Sequence, residues 1–204
     1  SHLLATIASG YARTLGEIKE IFSRTLFSRQ FGLASLRDYV EEAVSFLREN
    51  GMLRVEDDRV EATELGKRVS SLYIDPLSAA VILRGLRTGR GSVVGYLHLI
   101  ASTPDMPKLY LRRRERERYA GIAEELEGLL LLEPPEDPYE YEMFLAELKT
   151  ALLLLDRIEE MSDDDIIAKY GVGPGDIFSL TQTAEWLAYA ASEIAATEGL
   201  HELS

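Results

Sequence analysis

Apolar positions recur along this chain at spacings of three and four almost throughout, and alternate with polar ones in one short stretch. Leu3, Leu4, Ile7 and Ala8 form a first apolar set, with Gly10 as a stop. Thr14 is placed to cap a second helix running through Ile18, Ile21, Phe22 and Leu26. Residues 34–50 predict a third, with Leu36, Val40, Ala43, Val44 and Leu47 on its buried face and Asn50-Gly51 as a C-terminal signal. The period then changes. Met52-Leu53-Arg54-Val55 and Val60-Glu61-Ala62-Thr63 flank the polar turn Glu56-Asp57-Asp58-Arg59, which reads as a β-hairpin. Thr63 next caps a helix carrying Leu65, Val69 and Leu72.

Asp75-Pro76 opens a second half that reads as helical throughout. A helix is expected over 76–87, exposing Arg84 and Arg87, followed by the loop Thr88-Gly89-Arg90-Gly91 and a helix capped by Ser92. Residues 107–132 read as one long helix or two joined ones, with Arg112, Arg113, Arg114, Arg116 and Arg118 near the start, broken at Pro134, Pro135 and Pro138. The helix expected over 139–160 is apolar around much of its circumference (Phe144, Leu145, Leu148, Leu152, Leu155), which predicts a central position. Ser162 with Asp165 has the spacing of a capping box. After the turn Gly171-Val172-Gly173-Pro174-Gly175, Asp176 starts a strongly periodic last helix with Ile177, Leu180, Ala184, Leu187, Ala191 and Ile194 on one stripe. Trp186, the only Trp, falls on a flank shared with Ser179, Gln182, Ala190 and Glu193. A large aromatic there is either covered by a neighbouring helix or stacked on by a ligand.

Composition narrows the chemistry. The chain has 204 residues and no Cys, which removes disulfides and thiolate metal sites. His2, His98 and His201 form no pair at helical spacing, and the longest aliphatic runs, such as Leu129–Leu132, are far too short to span a bilayer. No Gly-Lys-Ser/Thr phosphate loop or Gly-x-Ser-x-Gly elbow occurs. Asp163, Asp164 and Asp165 suit the first turn of a helix better than a metal. No catalytic site and no cofactor are expected in this chain. Net charge is −13, which argues against general affinity for nucleic acid. Its distribution is uneven: Arg84 to Arg118 holds nine basic and three acidic residues, whereas Tyr119 to Ser204 holds three and twenty. That asymmetry produces either one basic surface on an acidic protein or arginines and glutamates alternating on solvated helices.

The phrase FLRENGMLRVEDDRVEATELGKRVS resembles the wing end of winged-helix domains. Its third helix carries Arg37 and Arg48 against Asp38, Glu41, Glu42 and Glu49, a balance that predicts no reading of duplex sequence. YGVGPG between two helices resembles the glycine hairpin of helix-hairpin-helix modules, which holds a phosphate on backbone N–H groups, and also the many Gly-rich helix–helix turns that hold nothing. ATELGKRVSSLYIDPLS looks like the junction between the winged-helix and helical domains of Ski-two-like superfamily two helicases. YGVGPGDI with TAEWLAYAASEIA is similar to the ratchet helix of the archaeal DNA repair helicases of that group, the Hel-three-zero-eight type, and SHLLATIASG resembles their entry into the winged helix.

This resemblance implies a mainly α protein: a winged-helix domain with a two-stranded wing over 1–75, followed by an all-α helical bundle, the ratchet domain, over 76–204. It implies a portion of an ATP-dependent 3′–5′ DNA helicase of repair or replication-fork processing. The two RecA-like motor domains that hold ATP and magnesium are expected outside this chain. The implied location is the cytoplasm, with the nucleoid. Single-stranded DNA is the implied partner, bound weakly by this portion alone, along with the RecA-like domains. Trp186 matches the family's base-stacking aromatic. Gln182 and Ser179 would contact the strand, and Arg84, Arg87 and Arg90 its phosphates. Many members carry a basic residue two turns before the aromatic, where this chain has Ser179. The rival expectation is an adaptor, a winged helix and bundle that docks on protein and touches no DNA.

Overall fold

A computed structural model describes residues 2–25 and 32–200. The fold is mainly α, a winged helix followed by an all-α bundle, and two compact units divide it: Ser1–Pro76 with Ala196–Gly199, and Leu77–Ala195 with Leu200–Ser204.

In the first unit, α1 (His2–Ala8) buries Leu3, Leu4 and Ile7 and gives way to Gly10 at φ 81°. Thr14 caps α2 (Leu15–Ser23), accepting from the Glu17 amide at 3.1 Å. The helix ends at Ser23, earlier than its apolar pattern suggests: Ile18 is buried, Ile21 is exposed, and Leu26 lies outside the described residues. Helix α3 (Leu33–Glu49) buries Leu36, Val40, Val44 and Leu47. Its end is closed by Gly51 at φ 72° and by the Met52 amide donating to the Leu47 carbonyl at 2.8 Å. Strands β1 (Leu53–Glu56) and β2 (Arg59–Ala62) pair antiparallel with Glu56 opposite Arg59, leaving Asp57-Asp58 as the turn. A third short edge joins them, since the Val60 amide donates to the Arg13 carbonyl and the Leu15 amide to the Asp58 carbonyl, both at 2.9 Å.

Thr63 explains why the wing leads into a helix at a fixed angle. Its hydroxyl accepts from the Gly66 amide at 3.1 Å, capping α4 (Glu64–Ser71), and donates to the Gly51 carbonyl at 2.5 Å. Gly66 then passes so close to the wing that a Cβ would fall 2.0 Å from the Met52 carbonyl oxygen. Only glycine allows that approach.

The second unit contains α5 (Pro76–Leu86), α6 (Val93–Ala101), α7 (Arg116–Glu125), α8 (Pro138–Ile158), α9 (Asp163–Tyr170) and α10 (Pro174–Thr197). As its apolar circumference implies, α8 is central: it packs against α6, α7 and α9, with Phe144, Leu145 and Leu148 meeting Tyr119, Ala123 and Leu130. Pro138 begins this helix, behind the Asp137 cap, and does not interrupt one. A second cluster joins Ile82 and Leu86 of α5 to Ala191 and Ala195 of α10.

The helix expected from residue 107 does not start there. Residues 107–112 form no regular element, Arg112 has extended backbone angles, and a 3₁₀ turn at Arg113–Glu115 leads into α7. Buried polar side chains of α8 take the backbone groups that a helix would have used. The Leu109 amide donates to the Thr150 hydroxyl at 2.9 Å, and the Lys149 ammonium donates to the Tyr110 carbonyl at 2.9 Å. Among the described residues no single helix is long and apolar enough to cross a membrane.

Candidate nucleic-acid interface

The turn before α10 is built from its glycines. Gly171 is left-handed at φ 66° and ends α9, its amide donating to the Ile167 carbonyl at 2.9 Å. Asp176 reaches back to accept from the Gly173 amide at 2.9 Å. Along α10, Ile177, Leu180, Ala184, Leu187, Ala190, Ile194 and Ala195 are buried. Ser179 and Gln182 are exposed and Trp186 is half-buried. At about 100° per residue, these three share one flank of the helix. Phe178 and Tyr189 lie on the outer face, 64% and 56% exposed. The flank carries Glu193 and no basic side chain, so it offers contact surface without positive charge.

The three arginines expected to touch phosphates stand elsewhere. Arg84 and Arg87 are exposed at and just past the end of α5, and Arg90 is exposed in the loop that follows. Helix α5 meets α10 at Ala191 and Ala195, positions turned by about 140° and 180° from Trp186. The structure therefore gathers Trp186, Gln182 and Ser179 on one flank and does not bring Arg84, Arg87 and Arg90 to it. Arg84 shares an open groove with Glu133, Glu140 and Glu147. Burial pushes the Glu147 carboxyl up to about 7, against the pull of Lys108.

The irregular segment before the 3₁₀ turn holds side chains that the expected site did not include. Tyr110 is 82% exposed although its carbonyl is held by Lys149. Arg112, Arg113 and Arg114 are exposed beside it. The guanidinium of Arg112 lies against Gly171, where a Cβ would come within 2.5 Å of Nη2. Glu115, the acid in their midst, is engaged: it accepts from Lys149 at 2.8 Å and from the Arg112 amide at 3.0 Å. Burial raises its carboxyl, but these donors outweigh that effect and hold it below the usual carboxylate range. Further along, Arg116 pairs with Glu142 at 3.4 Å and Arg118 lies 5.7 Å from the Tyr119 ring centroid. A tyrosine followed closely by three arginines after Pro107 is the signal that would have pointed here.

Several other polar groups have structural partners, although among the described residues His98 Nδ1 and Thr181 Oγ1 are buried without one. His98 is fully buried, with Nε2 3.4 Å from the Phe144 carbonyl, and burial lowers its pKa to about 4. Asp156 accepts from Lys169 at 2.6 Å and from the Tyr170 hydroxyl at 2.5 Å. Asp163 pairs with Arg157 at 2.7 Å, and the Asp165 amide donates to Ser162. Among the described residues no group of three or more His, Asp or Glu side chains is set to hold a metal ion.

Residues 94–204 match the family model described as archaeal helicase, domain 4. The ATP-dependent DNA helicase Hel308 of Methanocella arvoryzae is 37% identical over 207 aligned residues, covering 98% of this chain and 28% of that protein. The protein of the same description from Caldivirga maquilingensis is 35% identical over 214 residues, with the same two coverages. The chain thus spans little more than a quarter of the length of these relatives.

Proposed function

Since the chain belongs to the archaeal helicase domain 4 family, we propose that it is the single-strand guiding, or ratchet, portion of an ATP-dependent 3′–5′ DNA helicase of repair or fork processing. The observation that carries this reading is Trp186: a half-buried indole on a flank of exposed Ser179 and Gln182, on a helix anchored along its length. Half-burial fixes the ring while leaving a face for a base, and stacking grips any sequence because every base has a π-face. Ser179 and Gln182 lie along the strand beside it. Arg84, Arg87 and Arg90 would meet phosphates further along, Arg84 least, because carboxylates share its groove. ATP and magnesium belong to RecA-like motor domains outside this chain, in the cytoplasm with the nucleoid.

The winged helix has a separate part in this reading. The outer face of α3 exposes Asp38, Glu41, Glu42 and Glu49, and Glu41 pairs with Lys19 at 3.3 Å. An acidic face repels phosphates and suits docking on the motor domains. Because Trp186 is the only Trp, its fluorescence reports the site directly. Titration with a thymidine oligonucleotide at low salt is expected to quench it, and Trp186→Ala to weaken binding by about 1–3 kcal/mol. An unquenched indole, together with normal unwinding by the whole helicase carrying Trp186→Ala, would reject the stacking role. A stable complex with RecA-like domains alongside that result would favour the adaptor.

A further inference from the structure

The basic segment at 110–114 has a construction that the Trp186 flank lacks. Two buried groups of α8 fix its backbone: Lys149, with 2% of its side chain exposed, and Thr150, fully buried. The same Lys149 engages Glu115, so the acid nearest the arginines is already neutralised. Some exposed arginines elsewhere are paired, as in Arg24–Glu20, Arg37–Glu41 and Arg157–Asp163. Arg113 and Arg114 hold no carboxylate among the described residues. From Pro107 to Arg118 the chain carries Lys108, five arginines and only Glu115 and Glu117, within a protein of net charge −13. Beside them Tyr110 offers an almost fully exposed ring on a fixed backbone. An aromatic platform with adjacent unpaired cations is the pairing that single-stranded nucleic acid uses, one part for the base and the other for the phosphates.

We propose that Tyr110, Arg113 and Arg114 form a second contact for single-stranded DNA, with Tyr110 stacking on a base and the two guanidiniums binding backbone phosphates. The proposal rests on the strand-guiding reading and supplies the charge that the Trp186 flank lacks. Arg112, lying against Gly171, ties this segment to the turn that precedes α10. Trp186 sits about 18 Å along α10 from its first residue. That distance corresponds to about five nucleotides at the 3.4 Å spacing of a stacked strand.

The test is fluorescence anisotropy of a labelled thymidine oligonucleotide with the whole 204-residue chain over a salt series. Arg113→Gln/Arg114→Gln is expected to weaken binding about tenfold at low salt. It should also flatten the log–log salt slope by about 1.4, or about 0.7 for each phosphate no longer neutralised. Tyr110→Ala is expected to weaken binding at least fivefold or so with the slope unchanged. Each variant alters an exposed side chain, so the melting temperature should stay at the wild-type value. If Trp186→Ala weakens binding while the arginine pair changes neither affinity nor slope, this second contact is overturned and the guiding role stands. If the arginine pair flattens the slope while Trp186→Ala has no effect, the contact stands and the role of the indole falls. No salt-dependent binding by the wild-type chain would overturn both. Tighter binding of a polyglutamate peptide than of the oligonucleotide, abolished in the arginine pair, would make the surface a protein site and overturn the contact.

Discussion

In the winged helix, Thr14 and Asn50 bond within or beside their own element, Thr63 caps α4 and also reaches Gly51, and Gly66 allows α4 to lie on the wing. In the bundle, the decisive polar groups act at long range: Lys149 and Thr150 reach a segment some forty residues earlier in the chain. The surfaces differ in the same sense. The first unit presents the acidic α3 face, whereas the second presents an exposed tyrosine and arginines whose neighbouring acid is already engaged. Local polar bonds make a fold that its sequence announces. Long-range ones hold an irregular segment whose side chains remain available for a partner.

The largest effect that tests this contrast is Lys149→Met. Breaking a buried ion pair by removing one partner costs about 3–5 kcal/mol. Chemical denaturation should show that loss, and oligonucleotide binding should fall as residues 107–112 lose their anchor. A loss below about 1 kcal/mol would mean that the segment is held by packing and not by Lys149. Gly66→Ala is the counterpart in the first unit. Overpacking against the Met52 carbonyl should cost about 1–3 kcal/mol, with strand binding by the bundle unchanged. Thr63→Ala should cost about 1 kcal/mol for the missing cap, again without effect on strand binding. If either winged-helix variant weakens the strand complex, the division of labour between the units is wrong.

The smallest expected effect concerns pH. The Glu147 carboxyl at about 7 lies well above the ordinary carboxylate value, so the folded chain binds a proton that the unfolded chain does not. Stability should therefore rise as pH falls from 8 through 7, and Glu147→Gln should remove that rise. His98 has the opposite sign. Its lowered pKa means that the unfolded chain takes up the proton first, and stability is lost as pH falls from about 6.5 toward 4. Melting temperatures of wild type and Glu147→Gln across this range separate the two, because only Glu147 is expected to act above pH 7.

Most of the fold was legible because its signals are local. The Asn50-Gly51 stop and the Thr63 and Ser92 caps depend on residues within one turn and form as expected, while the wing forms with a tighter turn, Asp57-Asp58, than the four residues its polar run suggested. The arginine-rich stretch misled for the same reason. Helix propensity favours Arg and Leu, while the groups that hold residues 107–112 out of a helix sit on α8. The local trace of this was Lys149 itself, a lysine inside an apolar helix face. The candidate site was legible in part. Periodicity alone put Trp186, Gln182 and Ser179 on one flank. That Arg84 stands among carboxylates depends on how α5 and α8 come to line one groove, which no spacing in the chain records.

The burial of α10 has a mechanical consequence. From Ile177 to Ala195 the helix is fastened to its neighbours over about 27 Å. Trp186 therefore stands on a post and not on a lever. The indole has no arm of its own to swing, and whatever displaces it must move the helix together with the side chains packed on it.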